Sequence, residues 1–158
     1  MIVMREEDLH SQAGMERAFR AYCEAVRRDQ PGTLNAMLAP EFVSCRWDRH
    51  TLVLRAAIQP WMANPSGILH GGITAAYLDL VMGLICRYCS GGHMTPTLHM
   101  DVSYLRSGSP GDTLCIRAEA TKLGRTVCYA VGSIYPENQP DRLIATAAGS
   151  YYVNSPKP

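Results

Sequence analysis

A single acidic residue, Asp79, lies in the stretch GITAAYLDLVMGLICRYC, which otherwise has the pattern of a buried helix. It is the only carboxylate between Asp48 and Asp101, and no basic residue lies within one helical turn of it. An unpaired carboxylate costs several kcal/mol to bury. Asp79 is therefore a candidate general base or nucleophile. Two structural explanations stay open: an ion pair with Arg55, Arg106 or another distant cation, or hydrogen bonds to backbone amides of a neighbouring subunit.

The motif His70-Gly71-Gly72 stands at the start of the same helix. Two glycines leave backbone N–H groups uncovered by side chains at the positive end of the helix dipole. Such donors suit a developing oxyanion or a polarised carbonyl oxygen. The alternative is that the glycines only permit a tight turn against a sheet. His70 ranks as a base behind Asp79, because a histidine beside two glycines is better placed to form hydrogen bonds.

The spacing of these groups has a consequence for assembly. Asp79 lies eight residues beyond Gly71, which is roughly 12 Å along a helix. One small reacting group cannot readily reach both ends of that span on one chain. If both groups act on one carbonyl, two antiparallel helices about a two-fold axis would place each Asp79 near the other chain's Gly71. The spacing therefore predicts an obligate dimer with two composite sites.

Residues 1–40 predict a helical arm that packs on the main body, with binding of a partner as the alternative. An apolar face at helical spacing is formed by Met15, Phe19, Tyr22, Cys23 and Val26. Pro31-Gly32 ends this helix. Thr33 is placed to cap a short second helix that runs through Leu38.

From Phe42 onward the pattern is typical of strands around one helix. FVSCRW and TLVLRAAI, joined by Asp48-Arg49-His50, predict a hairpin. The central helix is expected from about Ile73 to Tyr88, with Ser90-Gly91-Gly92 ending it. The strand TLHMDVSYL alternates apolar and polar residues, with Leu98, Met100, Val102 and Tyr104 on its apolar face.

Short turns between the last three strand segments predict antiparallel pairing. The helix is apolar all round, so a sheet must wrap it on most sides. The sequence therefore predicts an α+β fold, in which a curved antiparallel sheet surrounds one long central helix and an N-terminal helical arm is added.

Composition narrows the possible partners and surroundings. The chain has 158 residues, 47% of them hydrophobic, and a net charge of +1 with no basic stripe, which argues against nucleic acid. The N-terminus lacks the pattern of a signal peptide, and the stretch 73–86 is too short and too acidic for a good membrane span. Six cysteines in such a chain are expected to be reduced thiols in a cytoplasmic protein. Cys86 and Cys89 are read as two ordinary thiols, because neither a zinc spacing nor a helix N-terminus accompanies them.

The pattern Asn64-x-x-Gly67-x-x-His70-Gly71-Gly72, followed by Asp79, resembles that of hotdog acyl-CoA thioesterases of the phenylacetate-degradation type. The later segments TLHMDVSYLRSG, KLGRTV and ATAAGSYYV, and the pair Gly-Asp at 111–112, also match. The resemblance covers roughly residues 42–153. It implies a hotdog domain over residues 41–158, preceded by the arm at 1–40, in a dimer that often pairs further to a tetramer.

The resemblance also implies roles for individual residues. Asp79 matches the catalytic carboxylate, and Gly71 matches the residue whose N–H polarises the thioester carbonyl. Asn64 matches a side chain that orients the water or the acyl group, and His70 matches the motif histidine near the thioester. Thr97 falls where the family often has a hydroxyl near the reacting group.

Further residues are expected to bind substrate. Gly72 offers a second N–H. Tyr77 and Met82 would either line an acyl pocket or belong to the core. Three basic side chains would either bind the phosphates of coenzyme A or be ordinary surface charges. These basic residues are Arg106, Lys122 and Arg125. No metal or separate cofactor is expected, because coenzyme A is part of the substrate and its thiolate is a decent leaving group.

Two other functions compete with thioester hydrolysis. A non-catalytic module that binds acyl-CoA or an acyl carrier would keep the fold but would have little need of Asp79. A hotdog hydratase would want an Asp and a His at close spacing before the helix, and the segment MANPSGILH has no Asp.

Overall fold

The computed structural model describes residues 6–154. Six strands form one antiparallel sheet in the order β1-β2-β4-β5-β6-β3. The strands are β1 (Glu41–Arg46), β2 (Thr51–Ala57), β3 (Thr97–Tyr104), β4 (Thr113–Leu123), β5 (Val127–Pro136) and β6 (Ala145–Tyr152). The helices are α1 (Gln12–Asp29), α2 (Leu34–Leu38) and α3 (Gly71–Cys89), with short 3₁₀ turns at Glu6–Asp8, Trp47–Arg49 and Pro60–Met62.

The sheet curves around α3, which confirms the predicted architecture. Ten of the nineteen residues of α3 are buried, and the helix contacts strands from β2 to β6. By length and composition alone α3 could cross a membrane, but 56% of its most apolar 18-residue stretch is buried inside this fold. The helix begins two residues earlier than predicted, because His70 caps it. It ends at Cys89 with Ser90 as its C-cap, at the Ser90-Gly91-Gly92 segment that was expected to end it.

The strand pairing confirms the hairpin β1–β2 and the antiparallel β4–β5–β6 meander. The position of β3 differs from the simple expectation. It lies at the edge of the sheet and pairs only with β6 among the described strands. The expected apolar face of β3 is covered only at its centre: Met100 and Val102 pack against the core, whereas Leu98 and Tyr104 are each 58% exposed.

The predicted arm consists of α1 and α2, and the Thr33 cap and the apolar face of α1 are confirmed. Ser11 caps α1 by accepting from the N–H of Gly14, and Thr33 caps α2 by accepting from Ala36. The apolar face of α1 is buried, and it includes Met15, Phe19, Tyr22, Cys23 and Val26.

Two tyrosines of α3 fasten the arm to the central helix. The hydroxyl of Tyr88 donates to the carbonyl oxygen of Asp8 at 2.6 Å. The hydroxyl of Tyr77 donates to the carbonyl oxygen of Leu38 at 2.9 Å. The start and the end of the arm are therefore both held against α3.

Candidate active site

Asp79 lies half-buried on α3, and its carboxylate oxygen Oδ1 accepts two hydrogen bonds. The hydroxyl of Thr97 donates at 2.7 Å and the hydroxyl of Tyr151 at 3.3 Å. Within residues 6–154 the carboxylate forms no ion pair. Arg55 pairs instead with Glu41 and Glu137. The suggested ion pair of Asp79 with Arg55 or Arg106 is therefore not formed, and the second oxygen, Oδ2, has no donor within the described chain.

Tyr151 is the residue of this cluster that the sequence reasoning missed. Burial and the negative charge of Asp79 raise its pKa far above the usual value for a tyrosine. It therefore stays protonated and can act as a donor. Tyr151 pairs with Thr97 across the β6–β3 ladder, so the register of these two strands brings both hydroxyls to the same oxygen.

The start of α3 presents one uncommitted backbone donor. The ring nitrogen Nδ1 of His70 accepts from the N–H of Gly72 at 2.9 Å, which makes His70 the N-cap of the helix. The N–H of Gly71 has no acceptor within residues 6–154. Gly72 therefore does not supply the expected second donor, and Gly71 alone offers an N–H at the positive end of the helix dipole.

Asn64 shapes the loop before α3. Its side-chain oxygen Oδ1 accepts from the N–H of Ser66 at 2.9 Å and from that of Ile68 at 3.3 Å. Gly67 completes this turn with a φ of +76°, a conformation that glycine adopts without strain. The oxygen of Asn64 is thus engaged in the loop, and its amide N–H₂ group is the part that can face a substrate.

Four of the five predicted catalytic residues line two separate cavities of about 350 Å³ each, and His70 lines neither. The first, here the Asp79 cavity, contains Asp79, Thr97 and Tyr151 and is also lined by Tyr22, Gln30, Asn35, Leu80, Gly83, Leu84, Arg87, Met94, Thr95 and Pro96. The second, here the Gly71 cavity, is lined by Asn64, Ile68, Leu69, Gly71, Thr74, Tyr104, Leu105, Arg106, Ser107, Gly108 and Ile144. The carboxylate of Asp79 and the N–H of Gly71 therefore belong to different cavities of one chain.

The side chains expected to line an acyl pocket have other positions. Tyr77 and Met82 are 1% and 0% exposed and belong to the core. Met82 packs against Gly132, where an added Cβ would come within 3.2 Å of it. Neither residue lines the Asp79 cavity or the Gly71 cavity, so of the two readings that the sequence allowed, the structure supports core packing.

The three basic residues lie at opposite ends of the sheet. Arg106 follows the end of β3, lines the Gly71 cavity and donates to the carbonyl oxygen of Leu143 at 3.0 Å. Lys122 lies 5.9 Å from the centre of the Tyr129 ring, and Arg125 is in the β4–β5 turn. That turn leads into Val127, which pairs with Tyr152 beside the start of β3.

Comparison with known proteins finds similarity to thioesterases, the class that the sequence motifs indicated. The thioesterase superfamily model matches residues 66–142. Mouse acyl-coenzyme A thioesterase 13 is 25% identical over 79 residues, which are 50% of this chain and 56% of that protein. A phenylacetic acid degradation-related protein from Ralstonia eutropha JMP134 superposes with a TM-score of 0.69 at 26% identity, covering 84% of this chain and 99% of that one.

A hypothetical thioesterase protein from Streptococcus pneumoniae TIGR4, solved with coenzyme A, superposes with a TM-score of 0.62 at 25% identity, covering 68% of this chain and 84% of that one. The chain has the hotdog fold that the sequence predicted. It is similar to the thioester hydrolases, among them the acyl-CoA thioesterases.

Proposed function

We propose that this protein hydrolyses acyl-CoA thioesters in two composite sites of a homodimer. In each site Asp79 of one chain acts as base or nucleophile, and the N–H of Gly71 of the partner subunit polarises the thioester carbonyl. The substrate class is supported by the likeness to mouse acyl-coenzyme A thioesterase 13 and to the streptococcal protein solved with coenzyme A.

One observation supports the composite site: the two ends of β3 lie at the Asp79 cavity and at the Gly71 cavity. Thr97, the first residue of β3, donates to Asp79. Tyr104, the last residue, donates to the carbonyl oxygen of Gly71 at 3.1 Å. If β3 pairs antiparallel with β3 of a second copy, the start of each strand meets the end of the other. Asp79 then comes to the Gly71 of the partner subunit.

The exposed edge of β3 favours this pairing. Its outer side has no strand neighbour within residues 6–154, and an unpaired edge invites another strand. The strand also carries uncovered apolar side chains, among them Leu98 and Tyr104. A second β3 would satisfy the backbone groups and cover part of this surface. Further pairing of two dimers into a tetramer belongs to the same proposal.

The chemistry then needs only groups that the chain supplies. In the base route, Asp79 takes a proton from water while the water oxygen bonds to the carbonyl carbon. The oxyanion is stabilised by the N–H of Gly71, the C–S bond breaks, and the proton passes to the departing thiolate. In the nucleophile route, Oδ2 attacks the carbonyl carbon, coenzyme A leaves as the thiolate, and water hydrolyses the resulting anhydride. Both routes give a free acid and coenzyme A, and neither needs a separate cofactor.

The dimer also brings the basic residues to one site. Arg106 lies near Gly71, whereas Lys122 and Arg125 lie towards the end of the sheet where β3 begins. Antiparallel pairing would place Arg106 of the partner subunit at the same end as Lys122 and Arg125. We propose that these side chains bind the phosphates of coenzyme A. A cytoplasmic location, where acyl-CoA is available, fits this proposal.

The test is hydrolysis of a panel of acyl-CoA thioesters, measured by thiol release, for wild type and Asp79→Asn. Loss of the base lowers kcat by about 100-fold or more. Asp141→Asn is the matched control, because Asp141 is exposed on the loop before β6 and lines neither cavity. Equal rates for wild type and Asp79→Asn would defeat the assignment.

A further inference from the structure

Gly83 lies in the interior of α3, where a glycine lowers the stability of the helix. It stands twelve residues after Gly71, the first residue of the helix, and six residues before Cys89, the last. Its backbone is helical, a conformation that every other residue except proline adopts readily. Glycine is less favourable than alanine inside a helix, because it loses more conformational freedom on folding. The backbone conformation therefore gives no reason for a glycine at this position.

The neighbouring groups do not require a glycine at this position either. An added Cβ would lie 3.5 Å from Cε1 and 4.0 Å from Cδ1 of the Tyr151 ring, and both are ordinary contact distances. Apart from its neighbours along the helix, no other group within residues 6–154 comes within 4 Å of that point. The hydroxyl of Thr95 donates to the carbonyl oxygen of Gly83 at 3.1 Å, but any residue offers that oxygen. Packing and hydrogen bonding thus leave the missing side chain unexplained.

The space beside Gly83 belongs to the Asp79 cavity. Gly83 lines this cavity one helical turn beyond Asp79 and is only partly buried. Leu80 and Leu84 line the same cavity and are 8% and 6% exposed. The cavity therefore reaches the backbone of α3 at Gly83, between apolar side chains.

The distance from Asp79 determines which part of an acyl group would meet Gly83. The two residues are four positions apart, which is roughly 6 Å along the helix. An extended alkyl chain covers that length with about five carbon–carbon bonds, because the bonds zigzag. If the thioester carbonyl lies beside Asp79, carbon atoms from about the sixth onward reach Gly83. Acetyl and butyryl groups are too short to do so.

We propose that Gly83 determines which acyl groups this protein accepts, because the space beside its Cα holds the part of the acyl group remote from the thioester. This inference rests on the thioesterase function proposed above. The acyl group would pack on the backbone of α3, between Leu80 and Leu84 and beside the ring of Tyr151. A side chain at position 83 would fill that space and exclude long acyl groups, whereas short ones would still fit. The glycine then lowers the stability of the helix but leaves room for the substrate.

The test measures kcat/KM by thiol release for acetyl-, butyryl-, octanoyl- and decanoyl-CoA. Gly83→Ala lowers the ratio of decanoyl-CoA hydrolysis to that of the shortest thioester hydrolysed by about 10-fold, the effect of one methyl group in an apolar pocket. Gly83→Leu lowers the same ratio by about 100-fold. The control Ala25→Leu adds an apolar side chain at a half-buried position of α1 that lines neither cavity, and it leaves the ratio unchanged.

Two outcomes of this assay overturn the inference. One is a ratio in both Gly83 variants equal to that of wild type. The other is hydrolysis by wild type of acetyl- and butyryl-CoA alone, because the space beside Gly83 would then hold no acyl group. In either case Asp79-dependent hydrolysis leaves the proposed function standing. Absence of hydrolysis of every thioester overturns both.

A stability measurement separates a substrate-binding role of Gly83 from a structural one. Gly83→Ala introduces a better helix former where its Cβ has room, so its Tm without substrate rises and its size in gel filtration equals that of wild type. Gly14→Ala in α1 is the contrast, because its Cβ would collide with the carbonyl oxygen of Asp8, and its Tm falls. A lower Tm or a smaller assembly in Gly83→Ala would assign the glycine to packing within or between chains and overturn the inference.

Discussion

The Asp79 cavity and the Gly71 cavity are similar in size but have complementary contents. The first holds a carboxylate, two hydroxyl donors to it and a wall from the N-terminal arm. The second holds the N–H of Gly71, which has no acceptor within residues 6–154, the amide of Asn64 and the guanidinium of Arg106. In the proposed mechanism the first supplies the base or nucleophile and the second supplies the donor to the carbonyl oxygen. Under that proposal a single helix carries both halves of the reaction, too far apart for one chain to use them together.

The largest effect is expected from removing the N–H of Gly71, which is the proposed donor in the Gly71 cavity. Gly71→Pro removes the N–H at the first position of α3, where proline is well tolerated. His70 already has a ψ of 134°, which suits a residue before proline. The fold should therefore persist while kcat falls by about 100- to 1,000-fold, as measured by thiol release and circular dichroism.

Gly71→Ala is the matched control for that change. It keeps the N–H, and its added Cβ would lie 3.4 Å from Cε1 of Tyr104, an ordinary contact distance. We expect activity within a few-fold of wild type. If both variants lose activity equally, crowding and not the lost N–H is responsible, and Gly71 is not the oxyanion donor.

A smaller effect is expected from the hydroxyl that holds Asp79. Thr97→Val keeps the size of the side chain but removes the 2.7 Å hydrogen bond to Oδ1. Tyr151 still donates to the same oxygen, so the carboxylate is loosened and not released. We expect kcat to fall by about 10-fold with little change in KM, because positioning of the base matters most in the transition state.

Thr97→Ser decides whether that loss comes from the hydroxyl. Serine restores the donor without the methyl group, so most of the activity should return. A serine variant as slow as the valine variant would assign the effect to packing at the start of β3. Of the residues in the Asp79 cavity, only Asp79 would then keep its proposed part in catalysis.

The sequence identified Asp79 and Gly71 as candidate catalytic residues because both stand out from their surroundings. A lone carboxylate in an apolar helix and a pair of glycines before it are local signals. Tyr151 gave no such signal, because Tyr152 beside it has the same side chain. Only the alternation of β6, which buries Ala145, Ala147, Gly149 and Tyr151 on one face, distinguishes the two.

Tyr77 and Met82 illustrate the limit of periodicity. A helix that is apolar all round does not reveal which face borders a cavity and which face lies in the core. Which face of α3 lies in the core depends on the arm, because the hydroxyl of Tyr77 donates to the carbonyl oxygen of Leu38. The edge position of β3 was equally hidden, since strand order depends on pairing between distant segments. Tyr22 also lines the Asp79 cavity, although the sequence marked it only as part of an apolar face.

The central claim is that Asp79 and Gly71 of different chains form one active site, and mixing two inactive variants tests it directly. Asp79→Asn chains and Gly71→Pro chains are unfolded together, refolded and assayed for thiol release. Random pairing makes half the dimers mixed, and each mixed dimer has one intact composite site, so about a quarter of wild-type activity returns. If both groups acted within one chain, no site in any dimer would be intact, and the mixture would remain as inactive as its parents.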